Sequence, residues 1–357
     1  MIRRRFALVT MTNVCGNAAE LLDVGGWGMF KTRLRIALVV AAVLLPFIVH
    51  QAYSWLTALP RDIVVATGPE NGLYRGVWKE LGSEIERQLG VTVEILHTGG
   101  SAENLRLLEA GDVDFCLCQS GTDHFLGHRD TPNTKRPKFV ASLYSEVVHI
   151  LVRPESGIQT ASDLKGKHVN IGDKGSGDNA MAMLMLEHLG LTEKDIELDR
   201  VNYYDLAPKF RMGSIDAAIV TIAPGAPLVT DLISDGTYQL IPIPHSVALS
   251  EKRLFVQAYE IPSGYYRSGA IAHPRQSIST VAVRAQLLTS EQVSSTLVGE
   301  VTRIALSEEF IKSRELTELF SQGDSFAKSH PEFSLHPGAI NYYEPELRTY
   351  LNPDFVR

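Results

Sequence analysis

The residues best placed for chemistry are Gly175-Ser176-Gly177-Asp178-Asn179-Ala180, a G-x-G-x-x-A run that follows an apolar strand and opens a helical pattern. Glycines in that setting let a backbone approach a pyrophosphate, and Asp195, Glu197 and Asp199 lie about twenty residues on, where a ribose hydroxyl would be met. A dinucleotide-binding enzyme is therefore the catalytic reading to weigh. Against it stands a similar loop earlier in the chain, around Gly68-Pro69-Glu70-Asn71-Gly72, that lacks the fingerprint. His124 and His128 have the i, i+4 spacing that puts two metal ligands on one helix face, but Gly127 and Pro132 surround them and no third ligand is near. They read as solvated histidines, and no metal is expected. Cys116 and Cys118 point to one face of an apolar run, where a bridge would be strained, so they read as buried thiols. There is no Gly-x-Ser-x-Gly elbow. The expectation is a protein without catalytic residues or cofactor.

The two glycine loops belong to a pattern that occurs twice. The first copy opens with Val64-Val65-Ala66-Thr67-Gly68 and closes with Ala110-Gly111-Asp112-Val113-Asp114. The second opens with Val169-Asn170-Ile171-Gly172 and closes with Met212-Gly213-Ser214-Ile215-Asp216. Gly68 and Gly172 are 104 positions apart and Gly111 and Gly213 are 102 apart, so the internal spacing nearly agrees. Two similar α/β lobes make a cleft between them, and such clefts take small molecules.

The elements that would position these loops alternate. Residues 63–66 read as a strand and 73–89 as a helix, with Leu73, Val77, Leu81, Ile85 and Leu89 every four residues. Gly90 ends the helix, and Val91, Val93 and Ile95 alternate as the next strand. Ser101 is placed to cap a helix bearing Leu105 and Leu108, and Gly111 stops it before a strand over 113–118. This rhythm implies parallel strands with right-handed crossovers. Residues 121–138 read as a long loop, followed by strands over 139–143 and 147–152. A second lobe then has strands over 168–171, 216–220 and 238–241 and helices over 178–189, 206–212 and 224–234. Residues 242–278 read as surface connection, 280–285 as a strand returning to the first lobe, and 293–306 as an amphipathic helix. Segments near 144–150 and 279–285 would form a two-strand hinge. The expected division is 61–147 with 283–357 as one lobe and 148–282 as the other.

Open α/β sheets bind ligands at the loops that follow their strands. That puts Thr67, Asn71 and Tyr74 on the first loop, Ser101 and Asn104 at the second helix start, and Gln119 and Ser120 after the third strand. Ser176, Asn179 and Thr221 lie opposite. These ten are the ligand-binding candidates.

The chain of 357 residues, 45% hydrophobic, is long enough for two cores. Its net charge of −7 divides into +4 over residues 1–35 and −11 over the rest. An acidic body does not suit nucleic acid, whose affinity rests on Lys and Arg neutralising phosphates. The basic tip precedes an apolar run: residues 34–59 carry Arg35 as their one formal charge, enough to span a membrane with some tilt. Tyr53 and Trp55 fall where an aromatic belt would lie. The uncharged core, 36–49, is also the length of a signal-peptide core, but a small-x-small cleavage site is absent, which favours an anchor. Residues 1–33 read as a basic, disordered leader. The positive-inside rule then places the body outside the cytoplasm, in a periplasm or at the cell surface, where nicotinamide enzymes are uncommon.

Several stretches together resemble the TAXI-type solute-binding subunits of tripartite TRAP transporters. They are Ala66-Thr67-Gly68 through Gly72-Leu73-Tyr74, Thr98-Gly99-Gly100-Ser101-Ala102-Glu103-Asn104-Leu105, and Gly111-Asp112-Val113-Asp114 with Gln119-Ser120. Asp163-Leu164-Lys165-Gly166-Lys167, Gly175-Ser176-Gly177, His336-Pro337-Gly338-Ala339 and Tyr342-Tyr343 complete the set, over 61–345. The resemblance implies an α/β, two-lobed, periplasmic-binding-protein-like (type II) fold with a two-strand hinge. It implies a receptor that closes on a small polar ligand, an organic acid or amino acid, and passes it to TRAP permease subunits in the membrane. A sensor of the same fold with no transport role is the alternative. Where family members often carry Thr after Gly-Ser-Gly, this chain has Asp178, and its first loop carries Pro69 and Glu70. A carboxylate ligand favours the amides of a helix start, and Asp178 competes for that place, so a zwitterion or neutral polar ligand enters the reckoning.

Overall fold

The computed structural model describes residues 16–70, 72–126, 136–234, 238–267, 271–312, 323–328 and 332–344. Asn71, His128, the first fifteen residues of the leader and the tail past Glu344 lie outside the described residues. The chain forms two compact units, Met1–Ala58 and Leu59–Arg357.

The first unit contains α1 (Gly16–Leu56). Its segment Thr32–Trp55, 24 residues of mean hydropathy 2.1, is apolar and long enough to cross a membrane, rising about 36 Å at ~1.5 Å per residue. Its apolar side chains, Leu38, Val43, Phe47 and Trp55 among them, are exposed. The helix begins well inside the stretch read as a disordered leader: residues 16–33 are helical. Ala18, Ala19, Leu21 and Leu22 are strong helix formers, and extending an existing helix avoids a new nucleation step.

In the second unit, β1 (Asp62–Ala66), α2 (Leu73–Leu89), β2 (Thr92–Leu96), α3 (Ser101–Ala110) and β3 (Phe115–Gln119) follow in turn. β1 runs parallel to both β2 and β3. α2 buries Val77, Trp78, Leu81 and Ile85 along one stripe and stops at Gly90, whose φ of 67° is the left-handed conformation that glycine adopts without strain. After α4 (Thr122–Leu126) and β4 (Pro137–Val152) the alternation repeats. It runs through β5 (His168–Asn170), α5 (Gly177–His188), β6 (Glu197–Asp199), α6 (Tyr203–Arg211), β7 (Ala217–Ile222), α7 (Pro227–Ser234) and β8 (Gln239–Ile241). β5 is parallel to β6 and β7. Then come α8 (Ser246–Lys252), β9 (Gln257–Ile261), β10 (Ile278–Ser290), α9 (Ser295–Ala305), α10 (Glu308–Ile311), α11 (Gly323–Lys328) and α12 (Pro337–Tyr343).

The strand order is β2-β1-β3-β10-β4-β7-β5-β6, with β9 against β10 and β8 against β4. The two long strands, β4 and β10, are antiparallel and change neighbours at the same level. β10 pairs with β9 up to Ala282 and with β3 from Ala285 onward. β4 pairs with β7 from Val147 onward, and its earlier residues pair with β10 alone among the sheet neighbours. The hydrophobic clusters divide at the same place. Trp78, Phe115, Leu117 and Leu287 share a core with α9, whereas Val148, Ile150, Met185 and Val283 belong to another around α5. The architecture is thus a two-lobed α/β fold of the type II periplasmic-binding-protein-like kind, its lobes joined by two crossing strands.

Three local expectations are corrected. The strands read separately over 139–143 and 147–152 are one continuous strand, because Tyr144, Ser145 and Glu146 pair with Ala285, Arg284 and Val283. The region 242–278, read as surface connection, contains α8 and β9, since Gln257–Ile261 finds a partner edge in Ile278–Ala282. α4 lies within the loop expected over 121–138.

Candidate functional site

The cleft between the lobes is a cavity of about 80 Å³, lined by the loops after β1, β2 and β3 on one side and by the loop before α5 and the end of β7 on the other. Tyr74, Ser101 and Gln119 line one wall, Ser176 and Thr221 the other, so five of the ten candidates meet here. The lobes touch across it: Gln119 Nε2 donates to the Gly177 carbonyl at 3.0 Å, and the Ala102 amide donates to the Gly175 carbonyl at 3.3 Å.

Four candidates stay off the cleft wall because local backbone claims their side chains. Asn104, fully buried, donates to the carbonyls of Thr67 and Leu117 and accepts from Thr98 Oγ1, tying α3 to β1 and β3. Thr67 Oγ1 donates to the Leu96 carbonyl, closing β1 on β2. Ser120 Oγ accepts from the Arg284 amide and donates to the Phe255 carbonyl. Asn179 Nδ2 donates to the Ile171 carbonyl at 3.3 Å. Ser101 does not cap α3, whose cap position is Gly100 with no side-chain bond; its Oγ accepts instead from the Gln119 amide. Ser176 does cap α5, accepting from the Asn179 amide at 3.1 Å.

Three acidic residues in the lining, Glu146, Asp173 and Asp178, were not among the candidates. Glu146, 5% exposed, stands in the middle of β4 and accepts from the Tyr74 hydroxyl at 3.1 Å. Burial pushes its carboxyl up to about 8, opposed by the Tyr74 hydrogen bond and reinforced by Asp178. Asp178, on the first turn of α5, accepts from the Thr221 amide at 2.8 Å. Its shelter inside the protein raises it to about 7, against the pull of that amide and with a further push from Asp173. Burial, together with the charge of Glu146, holds the Tyr74 phenol well above its usual range, so it serves as a donor. The sequence signal for Glu146 was a lone carboxylate in the run Tyr144-Ser145-Glu146-Val147-Val148.

These shifts have a stability consequence. Raised carboxyls hold protons in the folded state that the unfolded chain has already released, so stability falls as pH rises from about 4.5 to about 8. In the ligand-free protein, Glu146→Gln is expected to flatten the decline in Tm across that window and to raise Tm at its upper end. Parallel Tm–pH curves for wild type and variant would remove Glu146 as a source.

The same geometry disfavours a dinucleotide. The space beside Gly177 that a pyrophosphate would enter holds Gln119, whose Oε1 lies 2.6 Å from where a Gly177 Cβ would sit. Asp178 adds a negative charge at that helix start. Among the described residues no group of three or more His, Cys, Asp or Glu converges to hold a metal. Cys116 and Cys118 are free and buried, and burial raises both thiols.

A Haemophilus influenzae (strain ATCC 51907 / DSM 11121 / KW20 / Rd) protein named "Putative thiamine biosynthesis protein" is 37% identical over 81 residues, which is 22% of this chain and 25% of that protein. The chain thus covers a quarter of that curated relative's length. Among solved structures, the periplasmic aliphatic sulphonate binding protein SsuA from Escherichia coli is 16% identical, with 73% of this chain and 72% of that one covered at a TM-score of 0.47. PhnD1 from Prochlorococcus marinus (MIT 9301), in complex with methylphosphonate, is 11% identical over 73% of this chain and 89% of that one, TM-score 0.48. Residues 65–346 match the NMT1-like family, and the chain belongs to that family.

Proposed function

We propose that this protein is an extracytoplasmic solute-binding receptor, tethered by α1, that captures a small polar ligand between its lobes and passes it to a membrane permease. The carrying observation is the cleft itself: a small cavity at the crossing strands, spanned by contacts such as Gln119 to Gly177 that exist when the lobes are together. We take the lobes as 61–147 with 283–357 and 148–282, rotating about the two segments where β4 and β10 change neighbours. The motif resemblance supports the TAXI subtype and a TRAP-type permease as partner. Small-angle scattering tests the closure. Gln119→Ala, which removes one bond across the cleft, is expected to enlarge the ligand-free radius of gyration, and saturating ligand is expected to reduce it again. A radius that responds to neither change counts against a hinged receptor.

A further inference from the structure

We propose that a pH-sensitive latch is built into the pivot between the lobes: like charge on Glu146 and Asp178 opens the empty cleft, and their protonation lets it close. This rests on the hinged, two-lobed reading above. Glu146 is the last residue of β4 before β7 joins the strand at Val147, and it pairs there with Val283 of β10. Asp178 comes to the same level from α5: its Oδ1 accepts from the Thr221 amide at 2.8 Å, and Thr221 pairs with Val148. Both carboxyls are thus held beside the point where β4 changes neighbours, and both residues line the cavity. The contacts that shut the cavity, Gln119 to Gly177 and Ala102 to Gly175, fall just before Asp178 in the chain. A rotation that breaks them carries Asp178 away with its lobe and admits water to both carboxyls.

No positive group offsets the pair. Among the described residues the cavity lining has no Lys, Arg or His, and β7 contributes Thr221 and Ile222 to it. Glu146 interacts with Tyr74 of α2, Asp178 of α5 and the buried Cys118 thiol of β3. Asp178 feels Asp173 in the preceding loop, and Asp173 in turn feels Asp205 of α6. Arg284 of β10 pairs with Ser145, which puts it on the opposite face of the sheet from Glu146. In the closed cavity burial raises Glu146 to about 8 and Asp178 to about 7, from ordinary values of 4.5 and 3.8. Opening returns both toward those ordinary values, so the closed form holds protons that the open form releases. Closure is therefore favoured most below the ordinary range and loses ground as pH rises through about 7 and then about 8. Each proton released raises the open-to-closed ratio by up to about tenfold per pH unit.

The test is energy transfer between dyes on the two lobes of the full-length, ligand-free protein in mild detergent. Lys79→Cys on α2 and Glu197→Cys on β6, both exposed positions, carry the dyes in a Cys15→Ser background, Cys116 and Cys118 being buried. At constant ionic strength, transfer is expected to fall as pH rises from about 5 and to level off above about 8. Glu146→Gln and Asp178→Asn keep the acceptors for the Tyr74 hydroxyl and the Thr221 amide but remove one titrating group each. Each is expected to halve the slope of the logarithm of the open-to-closed ratio against pH below about 7, and the double variant to abolish it. A flat wild-type trace, with transfer still lowered by Gln119→Ala, would overturn the latch and leave the hinged receptor standing. A fall that the double variant retains would assign the titration to other groups and overturn it too. If neither pH nor Gln119→Ala changes transfer, the latch and the hinge fall together.

Discussion

Gly338→Ala is expected to destabilise the folded body by about 3 kcal/mol, the upper range for an overpacked contact. A Cβ at Gly338 would lie 2.4 Å from the Ser295 carbonyl oxygen, 2.8 Å from Val298 Cβ and 2.9 Å from the Gly299 amide nitrogen. None of these is the end of a flexible side chain, so α12 or α9 must move as a whole. Gly299 faces the same contact, its own Cβ position lying 3.3 Å from the Gly338 carbonyl oxygen. The neighbouring residues fix α12 in this approach. His336 is fully buried and its Nδ1 accepts from the Gly338 amide at 3.1 Å, while Pro337 starts the helix and Ala339 is buried. The run His336-Pro337-Gly338-Ala339 is therefore a cap and a close helix crossing, and its role is packing. Urea denaturation measures the effect, with Gly76→Ala as the contrast: that position in α2 has nothing within 4 Å of a Cβ and is expected to be neutral or slightly stabilising. Similar midpoints for the two variants would dismiss the close crossing.

Gly177→Ala is expected to act on closure and leave stability nearly unchanged. Its Cβ would stand 2.6 Å from Gln119 Oε1, 2.9 Å from Cδ and 3.2 Å from Cβ, all on the opposite lobe. Gln119 is 3% exposed and bonded to the Gly177 carbonyl, so it has little room to withdraw. The lobes must then sit further apart, and affinity for the ligand of the cleft is expected to fall about ten- to hundredfold. Gln119→Ala removes the obstruction together with one bond across the cleft. In the double variant, affinity is expected to recover above that of Gly177→Ala alone, a coupling that independent sites would not show. Additive losses in the cycle would mean that the two residues do not meet when the ligand is bound.

The sequence by itself determined the repeating strand–helix order, the helix over 73–89, the positions of the glycine turns and the apolar segment that could cross a membrane. Each is written in a local period or in a residue with a conformational restriction, and the structure has them as α2, the paired parallel strands and α1. Strand ends marked a neighbourhood for the site, and Tyr74, Ser101, Gln119, Ser176 and Thr221 come to the cleft from it. Thr67, Asn104, Ser120 and Asn179 share that neighbourhood and the same polar chemistry, yet their hydrogen bonds go to backbone carbonyls and amides of adjoining segments. Which of these a polar side chain does depends on where distant backbone groups lie, and the tertiary structure alone decides that. Glu146 shows the same limit. In sequence it interrupts an apolar run, but its meaning comes from Tyr74, 72 residues away, and from Asp178 across the cleft. The continuity of β4 was likewise a tertiary outcome, because only pairing with β10 carries Tyr144, Ser145 and Glu146 through as strand and brings the two lobes to one cavity.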